Sequence, residues 1–290
     1  MTMQRILAAS KMLIATLVVS AVGFASIQVA HAESLLEKAR KQGFIRIAFT
    51  NEDPFSYVTA AGKLEGEDID IARVVLKKMG IDDVDGVLTE WGSLIPALKS
   101  NRVDMIAAGF FVTPKRCAEV TFSEPVFGIG EAFLVKKGNP KNLTKFEDFV
   151  TNKTANIGVL SGAAEGDYAK AAGIAASQIQ AYPDFPTELA ALNSGRIDAA
   201  AMVAVTAEQE MKKEGANSAF ERTPAIDHIG SKYLKGHGAF AFRKADADFA
   251  AEFNKYLVPF LGSKEHLEIT AKYGFTKAEL PEKKTEELCK

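Results

Sequence analysis

The sequence has 290 residues, 25% of them charged and 47% hydrophobic, a globular composition that excludes a disordered or collagen-like chain. A formal net charge of −2 leaves no broad basic field for nucleic acid phosphates, and two cysteines are too few for a disulfide-built scaffold. At roughly 100–200 residues per domain, the length fits one large domain or two modest ones.

An export address comes first. Arg5 and Lys11 precede an almost purely apolar or small stretch over 12–27, and Ala30-His31-Ala32 then places small residues two apart. This is the pattern of a secretory signal, with cleavage expected after Ala32. The rival reading is a membrane anchor. A spanning helix needs about 20 apolar residues, and Ser20, Gly23 and Ser26 interrupt this run. No cysteine follows to carry a lipid. Loss of 1–32 removes Arg5 and Lys11 and no acid, so 35 − 2 = 33 basic residues face 37 acidic ones, a net −4. The expected location is the periplasm.

The remaining chain alternates helices and strands. Residues 35–42 read as a short amphipathic helix and 45–50 as a strand with alternating β-branched residues. Over 68–79, Ile69, Ile71, Val74, Val75 and Met79 recur at helical spacing, and Gly80 stops the helix. A short strand at 87–90, a helix at 94–99 and an apolar strand at 105–108 follow. Thr113 is the expected N-cap of a helix with Pro114 at its first position. Residues 131–135 form the next strand. A second series begins near 137: strand 157–160, a helix entered through 161–165 and running to Lys170, strand 179–182, helix 187–193 and strand 199–205. A late strand at 238–242 and amphipathic helices at 245–261 and 266–271 complete the chain.

This alternation predicts an α/β fold with mostly parallel sheets. A helix, a polar turn and an apolar strand occur twice, at Asn101-Arg102-Val103-Asp104 and at Gly195-Arg196-Ile197-Asp198. Asp104 and Asp198 read as turn and capping residues rather than ligands. Two similar lobes are expected: 33–132 with 238–290, and 137–234, joined by crossovers at 133–136 and 235–237. A ligand would bind in the cleft, at the carboxyl ends of strands. In an oxidising compartment Cys117 and Cys289 are candidates for one bridge, against two separate thiols. The bridge would close a long loop, for which the chain-entropy model gives about 4–5 kcal/mol as an upper figure. The four histidines show no metal-ligand spacing, so neither metal nor cofactor is expected.

Several segments carry a resemblance: Glu52-Asp53-Pro54-Phe55, Gly66-Glu67-Asp68-Ile69-Asp70-Ile71-Ala72, Trp91-Gly92-Ser93-Leu94-Ile95-Pro96-Ala97-Leu98, and Thr113-Pro114-Lys115-Arg116 followed by Phe122-Ser123-Glu124-Pro125. In this order they resemble the bilobal solute-binding proteins of ABC importers, in the polar-amino-acid group. The stretch from Gly109 to Cys117, Lys136-Lys137-Gly138-Asn139-Pro140, Tyr273-Gly274-Phe275 and Cys289 are similar to the ectoine/hydroxyectoine-binding members. That resemblance implies a periplasmic-binding-protein-like type II fold, two lobes with a hinged cleft between them. It implies a small zwitterionic solute as ligand, a membrane permease as partner and a monomeric chain. Carried over position by position, it implicates Glu52, Phe55, Trp91, Phe111, Arg116 and Glu165. Trp91 stands where a tyrosine is expected in that subgroup. Amino-acid binders of the group carry an aspartate at the end of the strand after the second turn, where this chain has Val203; the lost ammonium partner ranks ectoines above ordinary amino acids.

The residue types suit these roles. Arg116, in the first turn of a helix, has a planar fork that binds a carboxylate bidentately. Aromatic faces at strand ends attract a delocalised cation, about 2 kcal/mol or more each when desolvated. Phe110 is expected to point away from Phe111 and into the core. Glu52 and Glu165 would accept hydrogen bonds from ligand N–H groups, one from each lobe. Betaines, opines and polar amino acids are alternative ligands. Cyclohexadienyl dehydratases share the fold, but the sequence has no nucleophile–base motif and no phosphate loop, and no enzyme activity is expected. A sensory domain would need a transmembrane segment and a signalling domain.

Overall fold

A computed structural model describes residues 33–215 and 218–290; the expected signal segment lies outside the described residues. Ten strands carry two main sheets: Phe44–Phe49 (β1), Asp83–Leu88 (β2), Met105–Ile106 (β3), Thr121–Phe122 (β4), Glu131–Lys136 (β5), Ile157–Leu160 (β6), Ile179–Tyr182 (β7), Ala199–Val203 (β8), Phe220–Arg222 (β9) and Ala241–Phe242 (β10). The first sheet has the order β2-β1-β3-β10-β4 and the second β7-β6-β8-β5-β9. In each, three parallel strands are followed by two antiparallel pairings. The parallel half is the βα alternation read from the sequence. Of the antiparallel strands, β5 enters its sheet from the other lobe and β10 returns from it.

Of the two expected crossovers, 235–237 overlaps the segment along which the chain returns, and 133–136 lies in a strand. Residues 133–136 belong to β5, whose Ala132, Phe133, Leu134 and Val135 are fully buried. Flanked by β8 and β9, this strand is central to the second sheet, as a continuous apolar run requires. The chain instead leaves the first sheet along Phe127–Ile129 and returns along Gly236–Gly238, and these two segments pair antiparallel. The expected strand 238–242 is thereby split between this ribbon and β10. Glycine is required in the ribbon because rings cover it: a Cβ on Gly236 would lie 2.0 Å from the Phe111 ring, and one on Gly238 would lie 2.1 Å from the Phe127 ring.

Local signals set several helix ends. Ser34 and Glu37 form a capping box on the helix Leu35–Gln42, which Gly43 closes at φ 83°. Thr113 caps Pro114–Glu119, its hydroxyl accepting from the Arg116 N–H. The two repeated turns lock strands together rather than cap helices. The Asp104 N–H donates to the Arg46 carbonyl, and its carboxylate takes the Arg46 guanidinium at 2.8 Å and Arg243 at 3.2 Å. The Asp198 N–H donates to the Asn156 carbonyl, and its carboxylate accepts from Asn156 N–H and from Lys141, each at 2.8 Å. Cys117 and Cys289 are disulfide-bonded, with Cα atoms 5.7 Å apart. No described helix is long and apolar enough to cross a membrane.

Candidate functional site

The loop after β1 is held by the helix Glu67–Lys78. Glu67 and Asp68 donate their N–H groups to the carbonyls of Pro54 and Phe55. Gly66 must be glycine here: its φ is 135°, and a Cβ would sit 2.2 Å from the Phe55 carbonyl oxygen. Tyr273 clamps the same corner, donating its hydroxyl to Asp70 at 2.7 Å. Phe275 packs edge-on against Phe55. The motifs around Gly66 and Tyr273 thus aim one loop, which presents Glu52.

A second loop follows β3. The Asp68 carboxylate accepts the Gly109 N–H at 2.7 Å and fixes this residue at φ 62°. Burial raises the Asp68 pKa to about 6, opposed by the Gly109 N–H. Beyond Gly109 the chain runs extended to the Thr113 cap and delivers Arg116. The Arg116 guanidinium lies 4.1 Å from the Phe110 ring centre and 5.9 Å from that of Trp91. It donates to the Phe111 carbonyl at 2.9 Å and to the Gly162 carbonyl of the second lobe at 3.2 Å. Burial pushes its pKa down to about 10, with Glu165 opposing. Phe110 is core, as expected, stacked on Phe122, and it is also the platform for this guanidinium.

The second lobe brings Glu165, in the first turn of the helix Ala164–Ala171, and Val203 at the end of β8. Burial raises the Glu165 pKa, with its own backbone N–H and Arg116 opposing. Glu52 is 3% exposed and accepts the Thr206 hydroxyl at 2.7 Å. Burial holds its pKa well above the carboxylate range, and that hydroxyl and then Glu165 act with opposite signs. Two hydrogen bonds of the site, Arg116 to Gly162 and Thr206 to Glu52, therefore join the lobes directly.

Glu52, Trp91, Phe111, Arg116 and Glu165 line one cavity, with Gly109, Leu160, Ala163, Ala164, Phe185 and Val203. It has about 300 Å³ of space not filled by atoms, but only about 10 Å³ of that admits the centre of a water molecule. That is room for about one water, so the lobes are closed to near contact. The expected cage residue Phe55 is a correction: it lies behind the cavity wall, fully buried. Its ring stacks on Phe127 at 5.0 Å, and a Cβ on Gly109 would lie 2.9 Å from it. Packing from three distant segments draws it into the core. A larger groove, with about 1260 Å³ of space not filled by atoms, runs along the crossovers past Lys212, Arg222, Tyr233 and Lys235, and contains none of the six candidates.

Sequence reasoning missed Phe185, Thr206 and Glu131. Phe185 opens a helix behind the Asp184 cap, a local signal that was available. Thr206 meets Glu52 only through closure. Glu131 heads an otherwise apolar buried strand, and a carboxylate at that place is itself a signal.

Two lobes with a hinged ribbon, closing on a guanidinium, carboxylates and aromatic rings, define a protein that captures small solutes. The chain belongs to the bacterial extracellular solute-binding proteins, family 3, whose model matches residues 45–277. It is 38% identical over 272 residues to a "probable amino-acid ABC transporter periplasmic-binding protein" of Sinorhizobium fredii, covering 92% of this chain and 89% of the relative. It is 30% identical over 214 residues to the lysine/arginine/ornithine-binding periplasmic protein of Escherichia coli, covering 72% and 78% respectively. Among solved structures, EhuB in complex with hydroxyectoine superposes with a TM-score of 0.81 at 34% identity, covering 89% of this chain and 98% of that one. The chain is accordingly a solute-binding component of an amino-acid-type ABC importer.

Proposed function

We propose that this chain captures ectoine or hydroxyectoine in the periplasm, after signal cleavage at Ala32, and hands it as a monomer to a membrane permease. The observation that carries the reading is the convergence of Arg116, Trp91 and Phe111 from one lobe with Glu165 from the other on one closed cavity. Arg116 would exchange its carbonyl partners for the ligand carboxylate. The delocalised ring cation would lie between Trp91 and Phe111, with Phe185 across the cleft, and Glu52 and Glu165 would accept its N–H groups. Likeness to a hydroxyectoine complex supports this ligand class. Contacts from both lobes favour the closed form, since only differential affinity shifts such an equilibrium. The site binds without turning its ligand over.

A thermal-shift panel of ectoine, hydroxyectoine, glycine betaine, an opine, arginine and glutamine tests the reading. A ligand at 100 times its dissociation constant adds about 2.7 kcal/mol, and the ectoines should give the largest shift. A shift with an amino acid and none with either ectoine overturns the assignment.

A further inference from the structure

We propose that Glu131 is the specificity-determining counter-charge of this site, supplying for the ligand's cationic group the carboxylate that Val203 lacks. The inference rests on the cleft being the solute site. In the antiparallel pairing of β8 with β5, Val203 stands directly opposite Glu131. Directly opposed residues project to the same face of a sheet, with Cβ atoms about 5 Å apart. Val203 lines the cavity. An acid at 131 is therefore directed to the side of the sheet that Val203 presents to the cavity, from the neighbouring strand and one layer behind the lining residues.

Glu131 has no structural use that explains it. It is fully buried, and among the described residues its carboxylate oxygens meet no donor group; the side chain that interacts with them most, Glu165, is itself an acid. Its backbone is already satisfied by Ile226. An unpaired buried carboxylate is costly and persists where something else requires it. What faces it is acidic. Glu165, a cavity residue, interacts with it most strongly, Glu52 less so, and both Glu131 and Glu165 act on Tyr168. Two facing carboxyls bond only if one keeps a proton. Burial, then Glu165, raise the Glu131 pKa well above the carboxylate range, whereas Glu131 acts to lower that of Glu165. The pair thus keeps one proton between its two carboxyls.

The cavity then holds Arg116 with the carboxyls of Glu52 and Glu165, and Glu131 stands on the strand opposite Val203. A ligand carboxylate occupies Arg116, and a ligand cation beside Glu131 and Glu165 lets both ionise. The displaced proton goes to solvent. Solutes with a carboxylate and a protonated amine or amidinium are accepted, and the extra acid admits a second positive charge. Permanently methylated cations, which have no N–H to donate, are disfavoured.

Titration calorimetry with hydroxyectoine, arginine and glycine betaine, in two buffers of different ionisation enthalpy at pH 7, tests this. The unmodified protein should release protons on binding hydroxyectoine or arginine, and bind betaine more weakly. Glu131→Gln should weaken the better of the two N–H ligands about ten- to a hundredfold and abolish the proton release. The double variant Glu131→Gln with Val203→Asp should restore at least part of the affinity, which a merely structural role for Glu131 would not allow. Equal affinity and equal proton release in Glu131→Gln overturn the inference alone. Failure of the unmodified protein to bind any of the three probes overturns the reading of the cleft and the inference together.

Discussion

The two lobes share a turn and differ in what they hang on it. In the first, Asp104 is wholly buried and pinned by Arg46 and Arg243; in the second, Asp198 is partly exposed and meets Lys141. The same inequality runs through the site. The first lobe supplies Arg116 and the rings of Trp91 and Phe111. Its groups are fixed by a cap, by Asp68 at Gly109 and by the Tyr273 clamp. The second supplies small apolar walls, Phe185 and Glu165. One lobe is a rigid template for ligand shape. The other is a cover that adds a second carboxylate and an aromatic ring.

Breaking the template should cost most. Asp104→Asn strands two arginines and should lower unfolding free energy by about 3–5 kcal/mol, whereas Asp198→Asn should change it by less than about 1 kcal/mol. Urea titrations of both variants measure the contrast, and equal losses would remove it. Burial works against ionised Asp104, but its arginines outweigh burial and hold its pKa below the usual range. Its contribution is therefore present above the ordinary carboxylate pKa and lost as pH falls through the lowered one. Next, Arg116→Ala should weaken binding of the cognate solute at least about a hundredfold, the scale of a charged hydrogen-bond pair, while the far-ultraviolet circular dichroism stays unchanged. Unchanged calorimetric affinity would void the carboxylate assignment.

The smallest effect belongs to the cover. Glu188 is fully buried in the second lobe and neither of its oxygens has a partner among the described residues. Burial holds its pKa well above the carboxylate range. The folded form therefore binds this proton more tightly, and stability falls as pH rises from the ordinary carboxylate pKa toward the raised one. Glu188→Gln should raise the melting temperature at pH 8, by the equivalent of about 1 kcal/mol, and little at pH 5. An equal gain at both pH values would sink the burial account.

What was legible in the sequence was local. Thr113 with Pro114 announces its helix within two residues, and the helix Pro114–Glu119 begins where that signal places it. Arg116 reaches the cavity from the first turn of that helix, and Trp91 and Phe111 reach it from the segments that follow β2 and β3. Phe55 does not, because its neighbours Gly109, Phe127 and Phe275 come from distant segments. Glu131 meets Val203 through a strand register that no local pattern encodes. The strand over 133–136 was hard to place for a related reason: an apolar run marks an interior strand without saying which sheet receives it.

The disulfide gives the molecule an unequal topology. Its two ends, 172 residues apart, enclose every strand of the second sheet, and the bonded sulfurs sit beside the core of the first lobe. The second lobe is thus a covalent excursion that begins and ends on its partner, tied off at the root while its far side stays free to swing. A single cut anywhere along that excursion leaves one connected molecule, and two fragments separate only once the sulfurs are reduced.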